Sequence, residues 1–200
     1  MTSLLAVVLA YLIGGIPFGY LFVRATTGKD VRGLGSGNIG ATNVLRTTGR
    51  SLAVAVLLLD VAKGYFAVWL AAWLTDGSVL WLSLAASAVL LGHCYPIFLK
   101  FHGGKAVACF IGAFLYLTPV ALLAVLLLFA IVVAQTRHIS LGSIISAGLF
   151  PLAVWLIEHP PTPVLAVSVF AAILIVYRHK SNLERLQAGT ESVFLFQSSK

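Results

Sequence analysis

Apolar runs of about 20 residues, the length that crosses a bilayer as a helix, recur along this chain, and only Asp60 and Lys63 place charge inside one of them. A segment surrounded by hydrocarbon must satisfy its own backbone N–H and C=O groups, so runs of this kind read as helices. The fold class is therefore all-α, a polytopic membrane helix bundle. Hydrophobic residues make up 60% of the chain and charged ones 10%, against about 25% charged in a soluble domain. At about 20 residues per span, the chain has room for roughly six or seven crossings and for no separate soluble domain.

Charge placement orients the runs. The first, Ser3–Val23, contains Gly14, Gly15 and Pro17, which predict a kink or close helix packing. Its positive charges follow it, at Arg24, Lys29 and Arg32, so it is not a secretory signal and the amino terminus is expected outside. In the second run, Ser51–Leu74, Asp60 and Lys63 sit at i and i+3 on one face and can pair. An outer turn at Asp76 and Gly77 leads into Val79–Leu99, which returns the chain to the polar stretch 92–105. Lys105 and Arg137 both belong inside, so the apolar residues between them, punctuated by Thr118 and Pro119, must cross twice. That is possible only if Ala106–Leu117 is short or partly re-entrant for a bilayer of about 30 Å. Ile139–Ile157 then runs out to EHPPTP, and Val164–Tyr177 returns to the basic segment RHKSNLERLQ.

On this path all of the 13 Lys and Arg except Lys63 lie on one side, the positive-inside pattern. The expectation is about seven transmembrane helices, amino terminus outside and carboxyl terminus cytoplasmic. Residues 1–192 form a single integral membrane domain and 193–200 a tail set aside from the fold. The net charge of +7 and pI near 9.7 are thereby a topology signal, which disposes of nucleic acid as their explanation.

The polar exception is Gly33–Arg46, GLGSGNIGATNVLR. Glycines at 33, 35, 37 and 40 permit the positive-φ turns with which backbone N–H groups face an anion. Val44–Arg46 is expected to open a helix whose positive end faces the same anion. Further polar stretches at 92–105, 136–143 and 178–191 are placed on the same membrane face. Together they carry Arg46, Lys100, Lys105, Arg137, Arg178 and Lys180 against few acids, a set suited to phosphate. Gly103, Gly104 and Lys105 repeat the glycine-plus-lysine chemistry, and Ser140 and Ser143 add hydroxyls.

Several familiar sites are excluded. Gly35–Gly40 matches the dinucleotide fingerprint, but an apolar helix precedes it where a strand is required. A nucleophile elbow around Ser36 would need glycine where Leu34 and Asn38 stand. Lys105 is followed by Ala106, so no Walker lysine is present. The five His are scattered without metal-ligand spacing, and neither a metal nor a cofactor is expected. Cys94 and Cys109 face a reducing compartment, which argues against a disulfide.

The stretches GSGNIGATNVLR, GHCYPIFLKFHGGKAVA, TRHISLGS and HKSNLERLQAGTE together resemble the bacterial acyl-phosphate:glycerol-3-phosphate acyltransferase family, over nearly the whole chain and without departure in the first two motifs. The resemblance implies a multi-pass enzyme of the bacterial inner membrane with its site facing the cytoplasm. Such an enzyme moves a fatty acyl group from acyl phosphate to the sn-1 hydroxyl of glycerol 3-phosphate, giving lysophosphatidic acid and phosphate, the first step of phospholipid synthesis. It implies Ser36, Gly37, Asn38, Thr42, Asn43 and Arg46 in a first substrate motif and Gly103, Gly104 and Lys105 in a second. Ser143, His179, Asn182 and Glu184 match further polar positions. Of these, Ser36, Arg46, Lys105, His179 and Asn182 are the catalytic candidates, and Gly40 and Arg137 join the substrate-binding set. A monomer in contact with membrane lipid is expected to suffice. Glu184 is expected to orient the His179 ring if that segment is helical. The rival is a small membrane transporter of an organic phosphate, against which stands the clustering of polar residues at one face rather than at mid-depth.

Overall fold

The computed structural model describes residues 2–194. Every regular element among them is helical: α1 (Thr2–Gly15), α2 (Phe18–Thr27), α3 (Ala41–Thr47), α4 (Arg50–Leu74), α5 (Val79–Cys94), α6 (Val107–Leu117), α7 (Pro119–Thr136), α8 (Ile139–Glu158), α9 (Thr162–Arg178) and α10 (Lys180–Gln187), with 3-10 turns at Val31–Gly33 and Ile97–Leu99. Among the described residues, five stretches are long and apolar enough to cross a membrane. They are Thr2–Thr27, Arg50–Leu74, Val79–Leu99, Pro119–Thr136 and Ile139–Glu158, and α9 with α10, bent by 53°, would make a sixth. The segment expected to be short is α6, whose 11 residues rise about 16 Å. Of the tail beyond 192, residues 195–200 lie outside the described residues.

The chain divides into two compact units, Met1–Leu117 and Thr118–Lys200. In the first, α1 packs on α5 and α4 on α6 at crossings made of glycine. A Cβ at Gly14 would collide with the Val89 carbonyl, and one at Gly92 with that of Tyr11; Gly64 and Gly112 meet the backbone of Cys109 and Val61 in the same way. Apolar side chains have little to gain by leaving lipid, so membrane helices associate by such close backbone approach. The Tyr11 hydroxyl ties the first crossing by donating to the Tyr95 carbonyl at 2.7 Å.

Pro17 breaks α1 from α2 as expected, since it has no N–H to continue the helical ladder. The Ile16 carbonyl exposed at the break accepts from Lys63 Nζ at 2.8 Å. Lys63 in turn pairs with Asp60 at 2.8 Å, both side chains being buried. The pair expected from the i, i+3 spacing thus also pins the broken helix.

In the second unit α7, α8 and α9 pack in sequence. Pro119 opens α7, and Glu158 at the end of α8 accepts from the Ala121 N–H at 2.9 Å, capping the start of α7. Leu127 and Ile173 point outward, as do Leu58 and Trp73 in the first unit, and surfaces of this composition suit lipid.

Candidate active site

The glycine-rich stretch is folded around the side chain of Asn43, which is only 2% exposed. Its Oδ1 accepts from the Ser36 N–H at 2.9 Å. Its Nδ2 donates to the carbonyls of Leu34 at 3.0 Å and Asn38 at 2.8 Å. Asn38 Oδ1 accepts from the Gly40 N–H at 2.8 Å, an Asx turn that ends the loop and starts α3 at Ala41. Two positions demand glycine: Gly35 and Gly37 have φ of 54° and 71°, and a Cβ on Gly35 would also strike Asn43 Oδ1. Beneath the loop Val31, Ile39 and Val44 form a core with Val23, Val56 and Leu99. Leu99 belongs to the stretch 92–105, so the first two polar stretches share one apolar core.

Two details differ from the sequence expectation. First, α3 begins three residues before Val44, because the Asx turn at Asn38 fixes Gly40 as its cap, and Arg46 lies in the last turn rather than at the opening. Second, the N–H groups of Ser36, Gly37 and Gly40 bond inside the loop instead of turning outward. These three donors are thereby withdrawn from an incoming anion, and exposed side chains stand beside them. Arg46 and Ser36 are exposed, and the Arg46 side chain makes no hydrogen bond or ion pair with any described residue. Arg32, by contrast, is taken up by Asp30 at 2.6 Å. Thr42 is half-buried in the first turn of α3.

The second polar stretch closes back on α5. Gly103 N–H donates to the Cys94 carbonyl at 3.2 Å and Gly104 N–H to the His93 carbonyl at 3.0 Å. Neither glycine has room for a Cβ without a shift of its surroundings, since one on Gly103 would meet the His93 carbonyl and one on Gly104 the His93 ring. Lys105 follows, half-buried. After it Ala106, fully buried, sits at φ 63°, a conformation that costs a non-glycine residue about 1 kcal/mol or more. Both cysteines are buried.

In the second unit the centre is Glu191, a residue that the sequence did not single out. It is 8% exposed and accepts from Ser140 Oγ, Asn182 Nδ2 and Arg185 Nε, each at 2.7 Å. Burial by itself would push this carboxyl up, but the three hydrogen bonds and the Arg185 charge hold it below the usual carboxylate range. The backbone signal was Gly189, at φ 69°, which ends α10 and turns the chain so that Thr190 N–H reaches the Arg185 carbonyl at 2.8 Å. Phe194 N–H then donates to the Arg137 carbonyl at 2.7 Å, tying 178–194 to the stretch around Arg137.

His179 lies at the bend between α9 and α10 and is 3% exposed. Its Nδ1 is 2.8 Å from the Ile175 carbonyl, so Nδ1 carries the proton, and in the neutral ring Nε2 is the basic nitrogen. The orienting partner is thus a backbone carbonyl. Glu184 is exposed on the opposite face of α10, because the helical turn that buries Asn182 carries a residue two positions on away from it. Ser143 is buried, and its hydroxyl donates to the Ile139 carbonyl at 2.9 Å; Arg137 is exposed at the left-handed end of α7.

A profile of the family described as glycerol-3-phosphate acyltransferase matches residues 4–189. A glycerol-3-phosphate acyltransferase of Syntrophotalea carbinolica is 43% identical over 195 residues, which cover 97% of this chain and 99% of that one. The one of Geobacter sulfurreducens is 44% identical over 194 residues, with coverage of 97% and 98%. Among solved structures, an integral membrane glycerol 3-phosphate acyltransferase in its glycerol 3-phosphate form has a TM-score of 0.92 at 35% identity, covering 98% of this chain and 100% of that one. The lysophosphatidic acid form has a TM-score of 0.88 at 34% identity, covering 98% and 96%.

Proposed function

The chain belongs to the glycerol-3-phosphate acyltransferase family, and on that premise we propose that it moves a fatty acyl group to the sn-1 hydroxyl of glycerol 3-phosphate, releasing lysophosphatidic acid for phospholipid synthesis. The observation that carries this reading is the likeness, over the length of both chains, to an acyltransferase crystallised in its glycerol 3-phosphate form.

The proposed donor is acyl phosphate. Its mixed anhydride already contains a good leaving group, so no covalent acyl-enzyme is needed. The hydroxyl of glycerol 3-phosphate attacks the acyl carbon, the bond to the phosphate oxygen breaks, and inorganic phosphate leaves. Arg46 and Lys105 bind phosphate oxygens, Ser36 and Arg137 contribute polar contacts, and Gly37, Asn38, Gly40, Thr42, Gly103 and Gly104 shape the backbone that presents them. Asn43 acts through the loop it holds, and Ser143 and Asn182 line the polar clusters of their unit; for Glu184 the exposed position argues a weaker, peripheral contact. His179 hydrogen-bonds substrate, while an oxygen of the donor phosphate takes the proton, since a phosphate with a second pKa near 6 matches imidazole in basicity. Rate enhancement then comes from alignment and from cationic stabilisation of the developing oxyanion.

The chain is read as a monomer of about seven crossings, counting α6 as a short one. Its amino terminus is outside, its carboxyl terminus is cytoplasmic, and its site faces the cytoplasm from the bacterial inner membrane. Purified protein should form labelled lysophosphatidic acid from labelled glycerol 3-phosphate and acyl phosphate; a failure to do so in a folded preparation would sink the reading.

A further inference from the structure

One buried residue of the first unit has no part in the chemistry above. His93, in the last turn of α5, is 4% exposed. Its two ring nitrogens face different things. Nδ1 is 3.7 Å from Asp60 Oδ1, too far for a hydrogen bond but close enough, at such burial, for the carboxylate to favour one ring orientation. Nε2 and the carbons beside it occupy the space that a Cβ on Gly104 would need. Asp60 is itself fixed by Lys63 at 2.8 Å, and Lys63 by the Ile16 carbonyl at the helix break. A continuous line of contacts therefore runs from the α1–α2 break through α4 and α5 to the residue before Lys105.

The other side of Lys105 is fixed too. Ala106 is fully buried in a left-handed conformation, and its carbonyl accepts from Phe110 N–H at 2.7 Å to start α6. Lys105 thus stands between two buried neighbours, and the ring of His93 is the floor under one of them.

We propose that His93, oriented by Asp60, is a positioning residue: it seats Gly104 and thereby sets where Lys105 meets a substrate phosphate. The inference rests on the acyltransferase reading. The phosphate concerned belongs to glycerol 3-phosphate or to the acyl donor, and separate KM values for the two substrates tell which.

Amide substitutions separate this role from a structural one, because the Asn amide nitrogen reproduces the place of Nδ1 and the Gln amide that of Nε2. His93→Asn keeps the side facing Asp60 and empties the floor under Gly104; KM for one substrate should rise at least tenfold, with kcat within threefold of the parent. His93→Gln refills the floor and should return that KM to within threefold of the parent. A merely structural polar contact with Asp60 gives the reverse order. Gly104→Ala supplies a second readout: it should raise the same KM at least tenfold in the parent but less than threefold in a His93→Ala background, where the ring it collides with is gone. If the His93→Ala protein does not fold, the Asn and Gln variants carry the test. A parent-like KM in a folded His93→Asn enzyme, equal effects of Asn and Gln, or an undiminished effect of Gly104→Ala beside His93→Ala overturns the proposal. The parent protein assayed in parallel separates the two levels. If it turns over normally while these signatures are missing, only the role of His93 is wrong; if it transfers no acyl group from any donor, the acyltransferase reading is wrong and the proposal falls with it.

Discussion

Arg46 is a residue whose surroundings leave it open to a ligand: exposed in the last turn of α3, beside a loop in which the N–H groups of Ser36, Gly37 and Gly40 are already occupied. A charge-assisted contact to phosphate is worth about 1.5 to 3 kcal/mol, so Arg46→Ala should cost roughly tenfold or more in kcat/KM while the detergent-solubilised protein keeps its melting temperature; near-parental turnover contradicts the assignment. His179→Gln keeps a hydrogen-bonding group and removes a base. With the donor phosphate as proton acceptor the rate should stay within about tenfold of the parent, less than the 10² to 10⁴ that loss of a general base costs. A thousandfold drop at unchanged KM would make the imidazole the acceptor instead. Glu191 makes a prediction in pH. Its carboxyl is held below the usual range in the folded protein, so it contributes stability that is present above its unfolded pKa and lost as pH falls through the lower folded value. Glu191→Gln should therefore be less stable than the parent at neutral pH, and the gap should narrow below the carboxylate range. Melting curves at the two pH values check this, and a gap that is constant or wider in acid counts against it.

At the level of helices, the Asp60–Lys63 pair in α4 both neutralises two buried charges and fastens the α1–α2 break. Removing one partner of a buried pair costs about 3 to 5 kcal/mol, whereas replacing both by apolar groups of similar size is often close to neutral. The double replacement is accordingly expected to yield more folded protein than either single one. A double variant that folds well but is inactive would give the pair a role in turnover. Much of this was legible in the sequence: the kink from Pro17, the pair from its spacing, the shortness of α6 from the charges at Lys105 and Arg137. What was not legible depended on where the chain doubles back. Glu184 and Glu191 look equivalent as letters, and only the turn at Gly189 decides that Glu191 returns to Asn182 while Glu184 faces away. In the same way Asn43 reads as a ligand contact until the loop closes around its amide. His93 was not singled out within its motif, because Asp60 comes from another helix and Gly104 reaches its ring only when the stretch 92–105 closes back on α5.

For the whole molecule, apolar helices with little charge inside them, polar clusters at their ends and a family profile covering residues 4–189 describe an enzyme that joins a water-soluble phosphate ester to a lipid chain. The central claim is the choice of donor, since the mixed anhydride of acyl phosphate lets the transfer run without a covalent acyl-enzyme. The most direct measurement is steady-state turnover of the purified protein with radiolabelled glycerol 3-phosphate, offering acyl phosphate, acyl-CoA and acyl carrier protein in turn at equal acyl chain length. Labelled lysophosphatidic acid should form with acyl phosphate and at a small fraction of that rate with the thioesters; equal or faster turnover with acyl-CoA would contradict the account.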